Sequence, residues 1–105
     1  GKPSIAVRFA LDGRPAVGVA SRLRLDVSGD PGPLSLNLRG EGLVLDPGSI
    51  VLTIPEDGTP ASQSISVRPQ VAGIAEIAVK AQPMAEGGQE VLYAIPLLVG
   101  GAAAK

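Results

Sequence analysis

Apolar and polar residues alternate along most of this chain with the period of two that an extended strand imposes, and almost nowhere with the 3.6 of a helix. In residues 4–11, Ile5, Val7, Phe9 and Leu11 share one face while Ala6, Arg8 and Ala10 share the other, which predicts a half-buried strand with Phe9 in the core register. The clearest alternation lies in residues 18–28, where Leu23, Leu25 and Val27 face in and Arg22, Arg24, Asp26 and Ser28 face out. Leu34, Leu36 and Leu38 then alternate with Ser35, Asn37 and Arg39, and Leu43-Val44-Leu45 follows after Gly40-Glu41-Gly42, a glycine pair that marks a bulge or bend. Residues 49–54 put Ile50, Leu52 and Ile54 in one register.

The stretch 62–99 is the most legible part of the pattern. Ile65 and Val67 point in from 62–68, and Ala75, Ile77, Val79 and Ala81 point in from 73–81. These two strands flank a Gly-bearing reversal over 69–73, like the arms of a hairpin. The last strand, 90–99, is apolar on both faces and contains Pro96, which restricts it to a free edge or a bulge because proline lacks the N–H of the ladder.

Turn chemistry separates these runs: Asp12-Gly13, Gly29-Asp30-Pro31-Gly32-Pro33, Asp46-Pro47-Gly48, residues 55–60 and residues 83–88. Seven to eight short strands at this spacing, with no amphipathic helix, predict an all-β, two-sheet antiparallel immunoglobulin-like sandwich. A barrel is the alternative architecture. Residues 1–99 form the expected sandwich, and Gly100-Gly101-Ala102-Ala103-Ala104-Lys105 reads as a linker or disordered tail of a piece from a longer protein.

Composition sharpens this. The chain has 105 residues, enough for one core, and of its aromatics only Phe9 and Tyr93 are present, so the interior must be aliphatic. Nine basic against ten acidic residues leave a net charge of -1, too weak a field to gather nucleic acid. With neither Cys nor His, thiolate and imidazole chemistry, cysteine-ligated metals and disulfides are all unavailable. No apolar run approaches the ~20 residues that span a bilayer as a helix.

Val67, Pro69, Gly73, Ile77, Val79 and Ala81, followed by Ile95-Pro96-Leu97-Leu98-Val99, give the last two thirds of the chain a spacing that resembles bacterial extracytoplasmic immunoglobulin-like modules. The spacing is similar in particular to the macroglobulin-type sandwiches of bacterial alpha-macroglobulins and to sandwich modules appended to secreted enzymes. The resemblance implies a scaffold in the cell envelope: periplasmic, at the cell surface or secreted. The reactive thioester Cys of alpha-macroglobulins and the Cys and Trp core of antibody domains are missing here, so no functional residue carries over.

The remaining chemistry is sparse. Asp30, Asp46, Glu56 and Asp57 are the only loop carboxylates that suggest an acid pair or a calcium site, and each lies beside Pro or Gly where a turn role accounts for it. No catalytic, metal or cofactor-binding residue is assigned. A glycan platform would rest on Tyr93 alone, and Arg22 with Arg24 would offer an acidic partner or lipid head groups a charged face.

The second face of the last strand is less easily explained. Leu92, Ala94, Pro96 and Leu98, with Ile74 and Ala78, are apolar where the alternation elsewhere predicts water. Either a neighbouring strand or loop covers them, or Ile74, Ala78, Leu92 and Leu98 form an interaction patch for an adjacent domain, another protein or another copy. The expected function is a non-catalytic structural or protein-interaction module of a larger cell-envelope or secreted bacterial protein. The alternative is a ligand-binding accessory module that takes a glycan or calcium at its loop ends.

Overall fold

A computed structural model describes residues 5–84 and 87–101. Its strands are β1 (Ile5–Leu11), β2 (Ser21–Gly29), β3 (Gly32–Arg39), β4 (Leu43–Asp46), β5 (Ser49–Ile54), β6 (Ala61–Pro69), β7 (Gly73–Pro83) and β8 (Val91–Val99). They form two four-stranded antiparallel sheets, ordered β1-β2-β6-β4 and β5-β3-β7-β8. Among the described residues there is no helix.

Inward residues of both sheets meet in one core. Leu23, Leu25 and Val27 of β2 have no exposed surface, and neither have Leu36 of β3, Val67 of β6, Ile77 or Ala81 of β7, while Arg22 and Arg24, which alternate with the β2 leucines, are exposed. The buried hydrophobic core holds only Leu, Ile, Val and Ala, and no buried polar or charged residue accompanies it among the described residues. Branched aliphatic side chains fill a pleated face efficiently, which is how the chain manages without aromatics.

The pairing corrects the sequence reading at one point. Residues 62–68 and 73–81 are not hairpin partners: β6 pairs with β2 and β4, whereas β7 pairs with β3 and β8. The reversal at 69–73 therefore carries the chain from one sheet to the other. Between β3 and β4 the chain crosses back over Gly40, where a Cβ would stand 3.0 Å from the Glu76 carbonyl oxygen and 2.6 Å from Leu43 Cδ1. Only glycine lets these backbones approach so closely. Two prolines assigned to loops, Pro33 and Pro83, instead lie in strand ends, where a missing donor costs least.

The outer edges are closed by specific bonds. β8 is an edge strand, the position Pro96 requires. Beyond its end, the Gly100 N–H donates to the Pro15 carbonyl at 2.9 Å, and the Val17 N–H donates to the Gly100 carbonyl at 3.2 Å, so residues 15–17 cover that part of the edge. The Gly18 N–H donates to the Pro69 carbonyl of β6 at 2.8 Å, so the same connection ties both sheets together. Residues 1–4 and 102–105, most of the expected tail among them, lie outside the described residues.

At the opposite side of the seam the Tyr93 hydroxyl donates to the Ile5 carbonyl, linking β8 to β1 across the sandwich. Phe9, expected in the core, is 44% exposed. It does point inward, but β1 is itself an edge, and an inward residue there looks into the open seam rather than onto a full opposing sheet.

Candidate functional site

The four patch residues come together on the outer face of the β5-β3-β7-β8 sheet. Ile74 is 89% exposed, Leu98 74% and Leu92 69%, and Ala78 is exposed beside them. The expectation that a strand or loop covers this face is overturned: no described segment buries it. Strand register explains the grouping. Ile74 stands opposite Leu98, Glu76 opposite Pro96, Ala78 opposite Ala94 and Lys80 opposite Leu92.

On the next strand Arg39 is the partner of Ala78 and Asn37 of Lys80. The result is a shallow groove with a floor of two alanines and walls formed by Arg39, Glu76, Lys80 and Leu92. Lys80 Nζ lies 3.2 Å from Glu90 Oε2 in a half-exposed pair, and the Ser49 hydroxyl donates to Asn37 Oδ1 at 2.7 Å. The face is apolar along β8, mixed along β7, where Glu76 and Lys80 alternate with Ile74 and Ala78, and polar along β3. Val51 of β5, 66% exposed, adds an apolar position on the far side. Its outward direction follows from the alternation with Ile50, but an isolated valine on a polar strand gives no signal of its own.

The opposite sheet presents a different surface. Register places Arg8, Asp26 and Ser62 in one row and Arg22, Ser66 and Asp46 in another, so acids are interleaved with the arginines. Asp26 Oδ1 accepts from the Ser62 hydroxyl at 2.6 Å and from Arg24 Nε at 3.1 Å. The hydroxyl first, then the hydrogen bond and charge of Arg24 with a smaller contribution from Arg8, hold this carboxyl below its ordinary value of 3.8. This is a solvated face on which Arg8, Arg22, Arg24 and Arg68 outnumber Asp26 and Asp46, with Arg24 paired to Asp26.

A pH dependence follows from the sign of that shift. A carboxylate with a depressed folded-state pKa contributes stability that is complete above its unfolded value and lost as pH falls through the folded one. Asp26→Asn is therefore expected to lower Tm slightly at neutral pH, where the ionised carboxylate contributes, and so to flatten the fall in Tm below about pH 4. Thermal melts at stepped pH check this, and equal acid slopes for both proteins would contradict it.

The loop acids do not assemble a site. Asp30, Asp46, Glu56 and Asp57 are exposed, and Asp46 precedes the β4–β5 turn, whereas Asp30 lies in the β2–β3 connection and Glu56 with Asp57 in the β5–β6 connection. The Asp57 carboxylate accepts from the Thr59 N–H at 3.0 Å and its hydroxyl at 2.7 Å, bonds that lower its pKa and commit it to the turn. Among the described residues no group of three acids is arranged to hold a metal ion. Tyr93 is half-buried and its hydroxyl is spent on Ile5, so it offers no stacking platform for a sugar.

The architecture defines an immunoglobulin-like β-sandwich. No family model matches the chain, and no curated protein matches it. Solved structures do share its fold. A cohesin module from a Clostridium perfringens family 33 glycoside hydrolase aligns with a TM-score of 0.62 at 12% identity, covering 95% of this chain and 99% of that one. The ASH/PapD-like domain 7 of human CEP192 aligns at 0.60 and 14% identity over 96% and 87% of the two chains. WR4, a Caenorhabditis elegans MSP family member, aligns at 0.57 and 13% identity over 88% and 97%. At these identities the likeness is one of fold, and none of the three is a macroglobulin domain.

Proposed function

We propose that this chain is a non-catalytic protein-interaction module of a larger bacterial cell-envelope or secreted protein, docking through the outer face of β7 and β8. The observation that carries this reading is the uncovered apolar group Ile74, Leu92 and Leu98 on one register-aligned face of an otherwise ordinary alternating sandwich. Large apolar residues gathered on one exposed face lose water-exposed area only when something docks there. The neighbours support a modular role: one is by its title a cohesin module of a glycoside hydrolase. The envelope setting rests on the resemblance to bacterial extracytoplasmic modules.

Lys80 gives the test a built-in reporter. It is the only lysine between Lys2 and Lys105, and its side chain is half-exposed on the proposed face. Amine-reactive cross-linking in the protein's native setting is expected to join Lys80 to another polypeptide surface. Combined Leu92→Glu and Leu98→Glu substitutions are expected to abolish these links while leaving Tm within a few degrees. Links that survive both substitutions, or a Lys80 that stays unlinked in the folded protein, would contradict the docking role.

A further inference from the structure

β1 is the edge of its sheet, and two bonds fix which way its backbone groups point. The Asp12 N–H donates to the Arg22 carbonyl of β2 at 2.8 Å, whereas the Ile5 carbonyl turns the other way and accepts from the Tyr93 hydroxyl. Along an antiparallel edge strand, successive residues aim their N–H and C=O groups alternately at the neighbouring strand and away from it. Ala6, Arg8 and Ala10 therefore bond β2, and the groups of Val7, Phe9 and Leu11 point off the edge. No other segment among the described residues bonds them. The same three residues turn their side chains into the seam, where Val7 and Leu11 are half-buried and Phe9 is 44% exposed.

The other edges are blunted. β8 lacks a donor at Pro96 and is partly covered by residues 15–17, β4 has four residues, and β5, though open, already has Ile50 and Ile54 buried beneath it. Among the described strands β1 alone joins unpaired backbone to an unfilled apolar seam, the two things that an added strand supplies. From this geometry we infer that β1 pairs antiparallel with β1 of a second copy, about a two-fold axis through Phe9. The contact is separate from the β7–β8 face. Because Tyr93 already holds Ile5, the free groups are those of Val7, Phe9 and Leu11, and Phe9 is their centre. The two-fold sets Phe9 against Phe9, Val7 against Leu11 and Arg8 against Ala10, so each free donor meets an acceptor and no charge directly faces its like. An axis through Arg8 would put two arginines face to face. Any extended strand satisfies the backbone, but the side chains select a second copy: it brings a ring to the exposed ring, branched residues to the flanking inward positions, and alanine opposite Arg8, whose charge already has Asp26 as its β2 partner. Each facing pair exchanges two bonds, about six in all.

Sedimentation of the full chain from micromolar to millimolar concentration is expected to show a reversible monomer–dimer equilibrium with no larger species, because a two-fold contact uses each β1 edge once. Amide exchange reads the register. Protection of the Val7, Phe9 and Leu11 N–H groups is expected to rise with concentration, while Ala6, Arg8 and Ala10, bonded to β2, stay protected throughout. Phe9→Lys sets two ammonium groups together and is expected to weaken the dimer by about tenfold or more, whereas Val51→Lys on the β5 edge leaves it unchanged, with Tm measured for both. Cysteine substitution locates the axis: Phe9→Cys brings the two Cα atoms to about 5.5 Å, within disulfide reach, and Val7→Cys leaves them about 14 Å apart. Mild oxidation is therefore expected to link the Phe9→Cys protein at least about tenfold faster. A chain that stays monomeric, assembly beyond the dimer, exchange at Val7, Phe9 and Leu11 that ignores concentration, or equal linking of the two cysteine variants would overturn the inference. A dimer that survives Phe9→Lys and is lost in the Leu92→Glu/Leu98→Glu protein would overturn it too, since the contact would then lie on the β7–β8 face.

Discussion

Leu36→Ala is expected to destabilise the domain by about 3 kcal/mol, within the range of ~2–5 that truncated core leucines show. Leu36 has no exposed surface and sits on β3, the second strand of its sheet, with Ile50 of β5 and Ala81 of β7 in register on either side. Ala81 is too short to fill the space that the lost methyl groups leave. No aromatic ring lies in the buried core to swing into it, and β-branched neighbours such as Ile50 have little rotamer freedom. For a domain of this length that cost corresponds to a fall in Tm of roughly 10–20 °C. Val51→Ala, one residue along β5 from Ile50 but 66% exposed, is expected to shift Tm by no more than a few degrees. Calorimetry of the two variants checks the contrast, and equal losses would show that the core does not lie between the sheets as described.

Much of this architecture was legible in the alternation. β2 reads Arg-Leu-Arg-Leu-Asp-Val, and the structure buries each apolar residue and leaves both arginines exposed, because a sheet with one wet face enforces a period of two. Pro96 announced an edge strand for a chemical reason, the absent N–H, and β8 is one. The pairing of β6 was not legible. The short link at 69–73 reads the same whether it closes a hairpin within one sheet or steps between two, and residue types do not distinguish them. Phe9 shows a related limit: alternation gives the side a residue faces, but whether anything lies opposite depends on strand order.

The site followed the same logic. Sequence placed Ile74, Ala78, Leu92 and Leu98 on outward positions, and the β7–β8 register brought them onto one face, with Ile74 against Leu98 and Ala78 against Ala94. It left open whether they were covered, since cover depends on contacts between segments distant in the chain.

β8 separates core from surface within a single strand. Ile95 is 2% exposed and faces the fully buried Ile77, whereas Leu98 is 74% exposed opposite Ile74. Lysine at Ile95 would place an unpaired ammonium in an aliphatic core with no buried polar partner, at a cost of several kcal/mol that rivals the whole stability of such a domain. Lysine at Leu98 keeps its charge in water and its stem along the sheet, so its effect on the isolated chain is expected to stay within about 0.5 kcal/mol. The most direct measurement is therefore the thermal melt of Ile95→Lys beside that of Leu98→Lys at a concentration where the chain is monomeric. Loss of the folded transition is expected for Ile95→Lys and a near-native Tm for Leu98→Lys. A Leu98→Lys protein that unfolds with Ile95→Lys would contradict this, because the apolar face would then belong to the core and not to a docking surface.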